Sequence, residues 1–131
     1  MTNLAQNLTT TVLTNAAESA ANTETVVATI AGVLTRFPGQ NIVISGWVLL
    51  TPGTTTTAIQ LRCRRATLGG TLVGPNQPFF GGVAPSVRGQ YDFMAEDQPG
   101  EGSFTYVLTY QGTGEGTAAT FQAVELIATI N

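Results

Sequence analysis

The sequence predicts an all-β protein, an antiparallel β-sandwich of jelly-roll-like form with an extended N-terminal arm, and three observations carry this reading. Twenty-two threonines and 15 glycines in 131 residues make a composition prone to strands and turns. Apolar and polar residues alternate with period two in at least six segments. Clusters of Gly and Pro separate those segments, and no helical pattern follows residue 23.

Residues 1–23 differ from the rest in having no Gly, Pro or aromatic residue. Leu4, Leu8, Val12 and Leu13 come close to helical spacing, but the β-branched run Thr9 to Thr11 opposes a helix. This segment is expected to be an extended or partly helical arm, ordered by contact with something else, ahead of a sandwich domain over residues 24–131. "ETVVATIAGVL" opens that domain as a strand apolar on both sides, and "RFPGQ" turns the chain. "NIVISGWVLL" follows, with Ile42, Ile44, Val48 and Leu50 on one face and Val43, Ser45, Trp47 and Leu49 on the other. After "TPGTTTT", the strand "TAIQLRCRR" sets Ile59, Leu61 and Cys63 against Gln60, Arg62 and Arg64. "LGGTLVGPNQPFFGGVAPS" is broken by Gly and Pro into a corner or long loop. "VRGQYDFMAED" and "SFTYVLTYQ" recover alternation, and the apolar "TAATFQAVELIATIN" is expected to be stitched into a sheet.

Strands apolar on both faces need cover on their outer side, since the outer face of a lone antiparallel sandwich is normally polar. An oligomer interface supplies that cover. Val26, Ile30, Trp47 and Tyr110 are the subunit contacts this argument selects.

Composition narrows the function classes. The chain has the length of one domain. Charged residues are only 10% of it, against about 25% in ordinary domains. All five basic residues are arginines, and there is neither lysine nor histidine. A net charge of -3 speaks against nucleic acid as a partner. No apolar run approaches a membrane span and the N-terminus lacks a secretion signal, so the expectation is a soluble chain made in a cytoplasm. The lone Cys63 is expected to be a buried apolar side chain.

Without histidine or lysine the common catalytic bases and Schiff-base chemistry are missing. Carboxylates alone serve glycosidases, but Asp92, Glu96, Asp97, Glu101, Glu115 and Glu125 lie mostly in turns, where they are ordinarily solvated. The group around "AEDQPGEG" matches no calcium loop, and "GGTLVG" lacks the Lys-Ser/Thr of a phosphate loop. The expectation is a protein that is not an enzyme and takes no metal or cofactor.

The stretch "QLRCRR" concentrates three of the five arginines, Arg62, Arg64 and Arg65, in four positions. Two readings stand. Outward arginines guard a strand against unwanted edge pairing, or their planar forks meet carboxylates at an interface. Where the acidic partners lie decides between them.

"FPGQNIVISGWVLLTPGTTTTAIQLRCRRATLGGTLVGP", "EDQPGEGSFTYVLTYQGTG" and the closing "ATFQAVELIATIN" together resemble small β-sandwich structural proteins of tailed bacteriophages, including capsid cement or decoration proteins. The likeness spans residues 26–131 and is one of texture: threonine-rich strands, an R-x-R-R followed by a Gly turn, and D-x-P-G before a Y-V-L-T strand. It implies a homotrimeric jelly-roll-like virion subunit, made in the host cytoplasm. Such a subunit sits on the outer capsid surface where major capsid proteins meet and stabilises the head. Arg62, Arg64 and Arg65, with Leu4, Leu8 and Val12 of the arm, are the expected contacts to that partner. Two rivals share the fold: a receptor- or glycan-binding head of a phage fibre, and a self-assembling shell or tail-tube component.

Overall fold

Six of the eight strands coincide with the alternating segments, a seventh lies in the expected arm and a short eighth in the stretch expected as a corner or loop, and every one pairs antiparallel with its neighbours. The computed structural model describes residues 6–17, 21–74 and 78–131. The strands are β1 (Gln6–Ala17), β2 (Thr25–Thr35), β3 (Ile42–Thr51), β4 (Ala58–Arg65), β5 (Phe79–Gly81), β6 (Gly89–Asp97), β7 (Gly102–Thr113) and β8 (Thr120–Ile130). They form two four-stranded sheets, β1-β8-β3-β6 and β2-β7-β4-β5. No helix occurs among the described residues.

The pairing is nested about the middle of the chain: β4 with β5, β3 with β6, β2 with β7 and β1 with β8. Two further pairings, β3 with β8 and β4 with β7, join these ribbons into sheets. Every connection except the one between β4 and β5 crosses from one sheet to the other. This order is the jelly roll, an all-β solution in which two sheets cover each other's apolar faces.

The strand-forming residues explain the layers. Along β3, Ile42, Ile44, Val48 and Leu50 are fully buried while Val43, Trp47 and Leu49 are half-buried on the other side. Along β4 the buried set is Ile59, Leu61 and Cys63. Facing these across the sandwich are Tyr106, Leu108 and Tyr110 of β7, and Val124, Leu126, Ala128 and Ile130 of β8. Edge-to-face ring pairs tie the sheets together, Tyr110 with Phe121 at 5.2 Å and Phe80 with Tyr91 at 5.1 Å. Burial pushes the Cys63 thiol up to about 12, as expected of a small apolar residue in a core.

β2 reads as apolar on both sides because its register changes part way. Ala28 and Ile30 point inward, then a bulge at Gly32, whose φ is +71, shifts the pairing with β7 so that Val33 and Thr35 point inward in turn. The extra residue allows one strand to send two different alternation sets into the core.

The N-terminal segment finds its contact within the chain. Residues 6–17, assigned from sequence to an arm over 1–23, form β1 and pair along most of β8 as the edge of a sheet. The β-branched Thr9 to Thr11 followed by Val12 favours strand over helix at this position. The final strand is stitched in as expected, and Asn131 and Asn41 exchange backbone hydrogen bonds beyond its end.

Close approach of β3 to β8 depends on Gly46, where any Cβ would overlap the carbonyl oxygen of Glu125. Gly46→Ala is expected to lower the unfolding free energy by roughly 1–3 kcal/mol through this overlap. Urea unfolding followed by circular dichroism checks it, and an unchanged midpoint would show that the two strands tolerate wider spacing.

Candidate interaction surfaces

Arg62 and Arg64 project from β4 onto the outer face of the β2-β7-β4-β5 sheet, opposite Thr109 and Val107 of β7. Their carboxylate is in the same chain. Glu24, just before β2, takes both: Arg64 Nε donates to its Oε2 at 2.6 Å and Nη2 to its Oε1 at 2.9 Å, and Arg62 Nη1 reaches Oε1 at 3.4 Å. Further donors are also used. Arg64 Nη1 donates to the Gly70 carbonyl at 2.9 Å, and Arg62 donates to Gln111 at 2.8 Å and Gln60 at 3.0 Å. The Thr109 hydroxyl donates to Glu24 Oε2 at 2.7 Å. This charged layer roofs the middle of β7, which is why Val107 and Thr109 are buried although they face outward.

Arg65 turns the other way. Its Nε and Nη2 donate to the two oxygens of Asp97 at 3.0 and 2.7 Å, and the Tyr106 hydroxyl donates to Asp97 Oδ2 at 2.6 Å. Since Asp97 ends β6 while Arg65 and Tyr106 lie on β4 and β7, this cluster clasps one end of the sandwich across both sheets. A third cluster fixes the entry to β2. Buried Glu115 accepts from the Tyr110 hydroxyl at 2.8 Å and from the Asn22 backbone N–H at 2.9 Å. The Asn22 side chain exchanges two more bonds with the Glu115 backbone.

These geometries set the protonation states. The hydrogen bond from Arg64 holds the Glu24 carboxyl below its ordinary value; burial opposes this, and Thr109 and the two arginine charges add to it. Burial pushes Asp97 up, but Arg65 and the Tyr106 hydroxyl outweigh it and hold the carboxyl low. Burial, then the Asp97 contact, push the Tyr106 phenol far up.

The sequence places Arg62 and Arg64 on the outer face, and there they lie. Their carboxylates are internal, so their charges are engaged in the subunit's own fold. The sequence singled out Asp97 only as a turn carboxylate and missed Glu24. The available signal was scarcity: eight acidic residues against five arginines leave few candidates, and Glu24 precedes an apolar strand.

The residues chosen as subunit contacts separate. Ile30 and Tyr110 are core residues, at 2% and 0% exposure, so their side chains do not reach a neighbour. The physical reason is inward alternation, with Ala28 in β2 for Ile30 and with Tyr106 and Leu108 in β7 for Tyr110, while a register shift between Val26 and Ala28 sets Val26 apart from them. Val26 is exposed at 38%, and Trp47 is half-buried on the outer face of β3. Of the arm residues, Leu4 lies outside the described residues, while Leu8 and Val12 fall in β1 opposite Ala128 and Val124. Among the described residues no group of three or more His, Cys, Asp or Glu is placed to hold a metal ion. No helix among them is long and apolar enough to cross a membrane.

No protein-family model matches the chain, and no curated protein matches it in sequence. Solved structures do match. The chain superimposes on a structure of infectious bursal disease virus, Gx strain, with a TM-score of 0.57 and 11% identity, over 97% of this chain and 36% of that one. It superimposes on the VP2 subviral particle of that virus with a TM-score of 0.58 and 9% identity, over 95% and 32% of the two chains. A mutant VP2 solved as derived T=1 particles gives 0.60 and 8%, over 95% and 31%. The chain thus spans about a third of the length of these viral chains, and at such identities the likeness establishes a shared jelly-roll-type fold.

Glu24 and Asp97 both titrate lower in the folded chain than in the unfolded one. Their stabilisation is complete above the ordinary values of 4.5 and 3.8 and is lost as pH falls through the lowered folded values. Thermal melts from pH 7 to pH 2 should therefore show stability falling at the acid end. Glu24→Ala should cost roughly 1–3 kcal/mol at pH 7, because it removes the one carboxylate that two guanidinium groups share; partial exposure trims this. The variant's acid-end slope should also be shallower than that of wild type. A neutral effect at pH 7 would return the arginines to a solvated role.

Proposed function

We propose that the chain is a non-enzymatic virion structural protein, a capsid cement or decoration protein of the tailed-phage type, which binds the outside of a head where major capsid subunits meet and stabilises it. The observation that supports this reading best is the nested jelly roll, which matches viral VP2 over nearly the whole chain. The polar clusters fit a structural role. Glu24, Asp97 and Glu115 are each held by hydrogen bonds that join strands or sheets, which gives them a duty in the fold. Attachment as a homotrimer would add several weak contacts into a firm one, because each further contact forms within an already bound complex. On this reading the protein is made in the host cytoplasm and ends on the capsid surface.

A second reading, a self-assembling shell component, is favoured by one specific observation: a VP2 structure that the chain resembles was solved as T=1 particles. The two readings differ in what the purified protein does alone. Light scattering after size exclusion should give a stable mass near three times the 13.6 kDa subunit, and the trimer should co-sediment with phage heads that lack it. Particles of megadalton mass would establish the shell reading instead. A monomer that ignores the heads would remove both.

A further inference from the structure

The outer face of the β1-β8-β3-β6 sheet carries an apolar strip and carboxylates, and its four strands contain no arginine or lysine. Val43, Trp47 and Leu49 of β3 and Ile127 of β8 are half-buried there. Register places Trp47 directly between Asp92 of β6 and Glu125 of β8, and sets Glu96 opposite Val43. Directly opposite residues on neighbouring strands have Cβ atoms about 5 Å apart, so both carboxylates flank the indole. β1 contributes no charged residue. Among the described residues, none of the three carboxylates has an ion pair. The contrast with the other sheet is sharp, since there an equivalent outer surface is roofed by Glu24 and its arginines.

We propose that this face is a docking surface for a basic polypeptide, and that an arginine or lysine of the partner seats against Trp47 between Asp92 and Glu125. An indole face attracts a cation, and flanking carboxylates strengthen that attraction where the strip excludes water. A second copy of this chain is a poor occupant. Two such faces together would oppose carboxylate to carboxylate. The arginine face of another copy already has the charge of Arg62 and Arg64 paired with Glu24, and further donors bound to Gln60, Gln111 and the Gly70 carbonyl. Arg36 and Arg88 lie in the connections, outside the strands. The inference rests on the reading of the chain as an attachment protein and adds the chemistry of what it attaches to.

Trp47 is the sole tryptophan, so its fluorescence reports this face directly. The probe is a peptide of alternating arginine and threonine, with a glutamate and threonine peptide as control. The arginine peptide should change the emission saturably, more weakly as salt rises, and the control should not. Asp92→Asn with Glu125→Gln should weaken binding at least tenfold, whereas Glu101→Gln, in a turn off the sheet, should not. Asp92→Asn alone serves if the double variant does not fold. An unresponsive Trp47, equal loss in the Glu101→Gln protein, or a wild-type mass that rises through this face without any peptide would overturn the proposal. Heads lacking the protein separate it from the attachment reading. Heads bound equally by wild type and double variant sink the docking face and leave attachment standing, while peptide binding without head binding does the reverse.

Discussion

Antiparallel pairing between the two halves of the chain is the constraint on which the other features depend. β1 through β4 each find their partner in β8 through β5, so the chain doubles back on itself as one long ribbon after β4. Rolling that ribbon brings β3 against β8 and β4 against β7 and leaves two sheets whose inner faces bury each other. Contacts of such long sequence separation are costly to close, because the loop entropy is lost before the pairing compensates for it. The core must therefore be strongly apolar, and Ile42, Ile44, Leu61, Leu108 and Leu126 are buried without residual exposure.

Few charges are available in this chain, and the fold uses most of the basic ones for its own closure. Glu24 gathers two arginines and a threonine hydroxyl over the outside of one sheet. Asp97 joins strands from both sheets through Arg65 and Tyr106. Such clusters define register as well as adding stability, because a strand shifted by one residue would turn its arginines inward and leave buried charge unpaired. The same economy makes the other sheet's outer face distinctive, since among the described residues its carboxylates Asp92, Glu96 and Glu125 form no ion pair.

The jelly-roll order ties these local features to the likeness with viral VP2. Eight strands in two sheets are a fold that many proteins share, and what distinguishes one user from another is the outer surface. In this chain one outer face is closed by an internal charge layer and the other is open and acidic around Trp47.

By itself the sequence determined six of the eight strands, the inward residues of β3 and β4 and the outward arginines, because period-two alternation depends only on local backbone geometry. Ile59, Leu61 and Cys63 could be assigned to the core, and Arg62 and Arg64 to the surface, from spacing alone. Only the tertiary structure decided that Glu24, 38 and 40 residues away from them, would meet those arginines. It also decided that the bulge at Gly32 would draw Ile30 and Val33 into the same core, that β1 would line β8, and that Asp92 and Glu125 would flank Trp47. These are consequences of register between distant strands, and register is fixed by how two whole sheets fit together, which no local run of residues encodes.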